Sequence, residues 1–185
     1  MKALILSGMP AAGKTTVATA IAQKAGIPAL GGGDILKEMA RERGYTVTGE
    51  GWWDTNDGIR FLRERESNPD FDKEADRRMI EKIERGSIVV TSYTMPWLSK
   101  SGIKCWLDAS AGTRAKRMVV RDSMPLEKAA QVVALRDKEN HDLYLKMYGI
   151  DLGADMKPFN IIVDVNTKTQ DEIAEDILNE AKRYE

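Results

Sequence analysis

One cysteine, one histidine, almost no net charge and no long apolar run mark this chain of 185 residues. A lone cysteine cannot close an internal disulfide, which excludes a disulfide-stapled scaffold and makes a reducing, cytoplasmic compartment the expectation. Cys105 lies between Lys104 and Trp106 in an apolar stretch and reads as a buried strand thiol rather than a nucleophile. His141 has no second metal-type partner in the sequence and reads as a surface or packing residue. A formal net charge of -1 excludes a whole-molecule pull toward nucleic acid or an acidic membrane, so neither is expected as a partner. Nothing approaches the roughly 20 apolar residues that span a bilayer. The segment from Met1 to Gly8 is also too short for a signal peptide.

What is present is ordinary globular material, 42% apolar and 31% charged, of a length that fits a single domain over 1–185. Ala3 to Leu6, Ile88 to Thr91, Ile103 to Leu107 and Ile161 to Val165 are short, continuous apolar runs of the kind buried in parallel sheets. Helical stretches separate them: Thr15 to Ala25 with Gly26 as its stop, Ile35 to Arg43 with Asp34 as its cap, Ile59 to Glu66, and Lys73 to Glu84 before Gly86. Such alternation specifies a three-layer α/β fold, a parallel sheet with helices on both faces. The segment 34–85 reads as a long, mostly helical insertion into that domain.

Between the first strand and the first helix stands Gly8-Met9-Pro10-Ala11-Ala12-Gly13-Lys14-Thr15, which satisfies G-x-x-x-x-G-K-[ST] at every required position. The glycines allow backbone angles that turn successive N–H groups inward around a phosphate. Lys14 supplies a cation to the β- and γ-phosphates, Thr15 offers a hydroxyl to Mg²⁺, and the helix beginning here adds the positive end of its dipole. Gly8, Met9, Pro10, Ala11, Ala12, Gly13, Lys14, Thr15 and Thr16 are therefore the expected ATP-binding residues, with Thr15 the expected metal ligand.

Other features narrow the class. Guanine-specific GTPases need [NT]-K-x-D, and Thr167-Lys168-Thr169-Gln170 ends in glutamine instead. A motor ATPase would carry an acid after a later apolar strand, whereas Ile88 to Val90 runs into Thr91-Ser92, and Cys105-Trp106-Leu107-Asp108 is only a loose substitute. Arg114, Arg117 and Arg121 fall at i, i+3 and i+7, one helical face, with Arg136 downstream on another helix. Guanidinium forks track the charge of a transferring phosphoryl, so 110–137 reads as a lid region. The competing reading is a solvated face paired with Asp122, Glu127 and Asp137. Trp52-Trp53 either stacks on an acceptor base or packs the insertion, and packing is the commoner habit. Tyr144 and Tyr148 read as core contacts, and Asn140 on the same helix as a weak site candidate.

The phosphate loop, Gly31-Gly32-Gly33-Asp34-Ile35-Leu36, Asp72-x-x-x-Asp76-Arg77, the lid arginines, Arg136 and Tyr148-Gly149-Ile150-Asp151 occur in the order seen in the archaeal cytidylate kinase branch of the nucleoside monophosphate kinases, which the chain resembles over nearly its whole length. The resemblance implies a five-stranded parallel core whose missing strand belongs near Ile27 to Leu30, a helical monophosphate-binding insertion and a short lid. It implies the reaction of Mg²⁺-ATP with CMP or dCMP. It assigns Asp34, Lys37, Asp72, Asp76, Arg77, Ser92 and Tyr93 to the acceptor, and Lys14, Arg117, Arg121 and Arg136 to catalysis. Two positions depart from relatives: Lys37 and Tyr93 stand where arginines are expected, which loses one bidentate fork and one charge. Arg41, Arg60, Arg77 or Arg78 could supply the missing cation. Another acceptor (AMP, UMP, a sugar or a shikimate-like metabolite) and a slow regulatory nucleotide-binding module are the rival readings.

Overall fold

The computed structural model of the protein describes residues 1–68 and 70–185. Strands β1 (Leu4–Ser7), β2 (Ala29–Gly31), β3 (Val89–Thr91), β4 (Ile103–Asp108) and β5 (Ile161–Asp164) form one sheet in the order β2-β3-β1-β4-β5. Every pairing is parallel; Leu4 lies opposite Val89 on one side and Ile103 on the other. The missing strand is β2, within two residues of its expected place. It is short because a glycine run follows, and it lies at the sheet edge.

Alternation along β1 distributes the core between the faces, since successive strand side chains point opposite ways. Leu4 and Leu6 pack with Val17, Ile21, Ile173 and Ile177 from α1 (Lys14–Ala25) and α8 (Gln170–Ala181). Ile5 points the other way and packs with Ile35, Met39, Trp52, Phe61, Phe71, Met79 and Ile83. Those partners come from α2 (Gly32–Glu42), a 3-10 turn (Glu50–Asp54), α3 (Asn56–Ser67) and α4 (Asp70–Arg85), the helical insertion expected over 34–85. Phe61 sits at the centre of its aromatic packing, 5.5 Å from the Trp52 ring and 5.3 Å from Phe71. Cys105 is fully buried in β4, and burial pushes its thiol up to about 12, in keeping with a structural thiol. His141 is partly exposed and bonds the carboxylates of Asp142 and Asp151 at the surface.

The cap of α2 differs from the sequence expectation. Gly31 is the N-cap, and Asp34 lies inside the first turn, its Oδ2 accepting the Gly31 N–H at 2.7 Å. An acid at that position satisfies an orphan donor and complements the helix dipole, which is why the helix starts earlier.

After β3 a single turn, α5 (Met95–Leu98), leads to β4; α6 (Ala111–Asp122) and α7 (Leu126–Tyr148) then form a helical hairpin. Ala115 and Met118 of α6 pack on Ala129 and Val133 of α7, with Ala11 of the phosphate loop against the same cluster. Because β1 is flanked by β3 and β4, the carboxyl end of β1 opens onto the switch point of the sheet, where ligands of open α/β sheets bind. No helix of the described residues is long and apolar enough to cross a membrane.

Candidate active site

The loop from Gly8 to Gly13 leaves β1 and closes on the first turn of α1. Gly8 has φ 152° and its missing side chain would meet the Leu107 carbonyl oxygen at 2.8 Å, so this position takes no other residue without displacing β4. Gly13, at φ 95°, sets the N-terminus of α1. Lys14 follows, and its Nζ donates to the carbonyl oxygens of Gly8 at 2.7 Å and Met9 at 3.1 Å. The same ammonium stands 4.1 Å from the ring centroid of Tyr93. Burial lowers the Lys14 pKa to about 7, helped by the charges of Arg136 and Arg114.

Beside the loop lies a cavity of about 660 Å³ lined by Ala11 to Val17, Tyr93, Arg117, Met118, Arg121, Arg136, Lys168, Gln170 and Ile173. Three of the predicted catalytic cations besides Lys14 thus line one space, and they differ in how they are held. Arg117 Nη1 donates to the Ala12 carbonyl at 2.7 Å and its Nη2 to that of Val165, tying α6 to the loop and to the end of β5. Arg121 is more exposed and forms a bidentate pair with its neighbour Asp122. Arg136, on α7, makes no ion pair among the described residues.

Arg114 belongs to a different category from its helix mates. It is buried, bidentate with Asp137, and also donates to the carbonyls of Ala109 and Pro10. The salt-bridged reading of the arginine face therefore holds for Arg114 with Asp137, where the pair is buried rather than solvated, and for Arg121 with Asp122, while Arg117 and Arg121 also line the cavity.

The predicted acceptor residues fall into separate groups. Asp34 and Lys37 line a second cavity of about 410 Å³ with Thr15, Thr19, Gly31 to Gly33, Trp53 and Thr91. Lys37 Nζ donates to the Gly49 carbonyl at 3.1 Å and lies 5.8 Å from the Trp53 ring. The tryptophan pair divides its labour: Trp52 is fully buried packing, whereas Trp53 lines this cavity.

A further group joins α4 to α7 and to α3. Tyr148 donates to Asp76 Oδ2 at 2.8 Å, and Arg65 to Asp72 Oδ1 at 2.7 Å. Burial raises the Asp76 pKa despite the Tyr148 bond, and raises Tyr144 to about 12. Tyr144 is 5.5 Å from Tyr93, ring to ring. Ser92 spends its hydroxyl on the backbone N–H groups of Thr94 and Met95, fixing the turn that follows β3.

Arg77 lies apart from both cavities, exposed and paired with Glu74 and Glu81 along the outside of α4. Three of the four suggested substitute cations are engaged in this way, since Arg78 binds Glu42 and Glu74 and Arg60 pairs with Asp57. Residues that the sequence did not assign to the site are Arg65, Thr91, Lys168 and Gln170. Only Thr91 carried a signal, as the residue ending an apolar strand.

A metal ion would find a hard oxygen donor in Thr15, which lines both cavities. Among the described residues its hydroxyl makes no hydrogen bond, and Asp34 lines the second cavity beside it. No cluster of three or more acidic, histidine or cysteine ligands exists among the described residues. That donor set suits a cation held mainly by phosphate oxygens and water with one or two protein oxygens, the habit of Mg²⁺.

The family model for the cytidylate kinase-like family matches residues 5–167. The chain belongs to that family. It is 34% identical over 168 residues to the cytidylate kinase of Pyrobaculum aerophilum, covering 90% of this chain and 85% of that protein. With the cytidylate kinase of Pyrococcus horikoshii it shares 30% over 164 residues, 88% of this chain and 79% of the other. Among solved structures, an uncharacterized protein from Eubacterium ventriosum superimposes with a TM-score of 0.65 at 15% identity over 97% of each chain. A shikimate kinase from Acinetobacter baumannii in complex with shikimate gives 0.58 at 19% identity, covering 100% of this chain and 95% of that one. These likenesses carry the fold alone, a five-stranded parallel sheet between helices, while family membership makes the protein an ATP-dependent phosphotransferase.

Proposed function

We propose that the protein transfers the γ-phosphoryl of ATP to CMP or dCMP, giving ADP and the nucleoside diphosphate. The observation that carries this reading is that Thr15 lines two cavities: one beside the phosphate loop with Lys14, Arg117, Arg121 and Arg136, the other with Asp34, Lys37 and Trp53. Donor and acceptor phosphates entering from opposite sides would meet beside Lys14. Curated relatives named cytidylate kinase supply the pyrimidine acceptor.

In this reading an oxygen of the acceptor phosphate attacks the γ-phosphorus in line. The new P–O bond forms as the bond to the β,γ-bridging oxygen breaks, ADP carries that electron pair away, and no covalent enzyme intermediate arises. Lys14 and Arg117 are held in place by carbonyl oxygens of the loop, so their charges need no reorganisation as the transition state forms. Arg121 and Arg136, less constrained, follow the charge spreading over the moving group. The α6–α7 hairpin is the segment whose closure would exclude water, a competing acceptor. Mg²⁺, when bound between Thr15 and the phosphates, would neutralise charge on the β- and γ-oxygens.

Asp34 and Lys37, which line the second cavity, are assigned to the acceptor side; Asp72 and Asp76 line neither cavity, and their assignment rests on the family resemblance alone. Coupled ADP release with Mg²⁺-ATP against CMP, dCMP, UMP, AMP and GMP tests the assignment. Preference for CMP or dCMP is the expected result. Silence with all five would move the acceptor outside the nucleotides.

A further inference from the structure

Tyr93 occupies a position that its residue type alone does not explain. It follows β3, lines the cavity beside the phosphate loop, and carries no charge to give a phosphate. Its ring face lies 4.1 Å from the Lys14 ammonium, while the two carbonyl bonds to Gly8 and Met9 approach that ammonium from the loop. Two carbonyl oxygens and an aromatic face thus surround the cation and leave its remaining side for the cavity.

The ring is itself firmly backed. The Tyr144 ring stands 5.5 Å from it, centroid to centroid, and both belong to a cluster with Trp97, Trp106, Ile150, Leu152 and Phe159. Trp97 anchors that cluster by donating to Asp155 at 2.9 Å. Among the described residues the Tyr93 hydroxyl makes no hydrogen bond, so the geometry uses the ring and not the oxygen.

We propose that Tyr93 is a positioning residue: its ring face holds the Lys14 ammonium toward the donor phosphates and fixes where that charge stands. Cation–π attraction grows where water is excluded, and a half-buried ring backed by other rings meets that condition. The role rests on the reading of Lys14 as the phosphate cation, and it is separate from any contact of Tyr93 with the acceptor.

The test is a double-mutant cycle read by calorimetric titration of Mg²⁺-ATP, with no acceptor present, so it stands or falls independently of CMP. Tyr93→Leu is expected to weaken ATP about tenfold, and Tyr93→Phe no more than about twofold, since phenylalanine keeps the ring face. In a Lys14→Met background, Tyr93→Leu is expected to cost nothing further, because the partner is gone. Tyr93→Met serves as the second ring-less variant should Tyr93→Leu melt early. The proposal is overturned if phenylalanine loses as much as leucine, or if either ring-less variant costs as much without Lys14 as with it. Absence of any CMP kinase activity in the parent would instead strike the proposed function and leave this cycle readable.

Discussion

Arg114 and Asp137 meet as a two-pronged ion pair, Nη1 to Oδ1 at 2.6 Å and Nη2 to Oδ2 at 2.7 Å, and the same guanidinium donates to the Pro10 carbonyl. One buried side chain therefore ties α7, α6 and the phosphate loop together. Removing one partner of a buried pair leaves the other charge desolvated and unpaired. Asp137→Ala should cost about 3 kcal/mol, the low end of the range for buried pairs because Asp137 keeps some solvent contact. In a chain of this size that lowers the melting temperature by roughly 6–12 °C. A melting temperature unchanged by Asp137→Ala would remove the pair from the account of the fold.

The arginines that face the cavity predict the opposite signature. Arg121→Ala should leave the melting temperature within about 2 °C, as its pair with Asp122 is at the surface. It should lower kcat by about two orders of magnitude while ATP affinity changes no more than about threefold. Steady-state kinetics and ATP titration on the same preparation measure both. A loss confined to ATP affinity would take Arg121 out of the transition state.

The line between these two arginines was not legible in the sequence. Spacing puts Arg114, Arg117 and Arg121 on one face of α6, but only the tertiary fold brings Asp137 from α7 against the first and leaves the others beside the loop. The phosphate loop was legible because its conformation is local: glycines at Gly8 and Gly13, a strand before and a helix after. The same holds for the apolar runs of β1, β3, β4 and β5. The rest of the candidate site depends on contacts between distant segments, Tyr148 with Asp76 and Tyr93 with Lys14, which no periodicity encodes. Arg77 shows where local reading stops. It adjoins Asp76 in sequence, but the next position on a helix faces another way, toward Glu74 and Glu81.

Asp76 yields a pH prediction. Burial raises its carboxyl above the ordinary value of 3.8. In the interval between that value and the raised one, the folded state binds more protons than the unfolded state, so this group makes stability fall as pH rises. Asp76→Asn keeps an oxygen to accept the Tyr148 hydroxyl and removes the charge. It should raise the melting temperature at pH 7 and make no difference near pH 3.5, below the unfolded value. Equal melting curves at both pH values would contradict the desolvation argument.

The central claim is direct transfer from ATP to a pyrimidine nucleoside monophosphate beside Lys14, and ³¹P NMR of the complete reaction tests it most directly. With Mg²⁺-ATP and CMP, the account predicts that the β-phosphate signal of CDP grows in step with that of ADP. Lys14→Ala should reduce both signals by at least about two orders of magnitude while retaining the parent's circular dichroism. Inorganic phosphate appearing with ADP, with no CDP formed, would contradict the account.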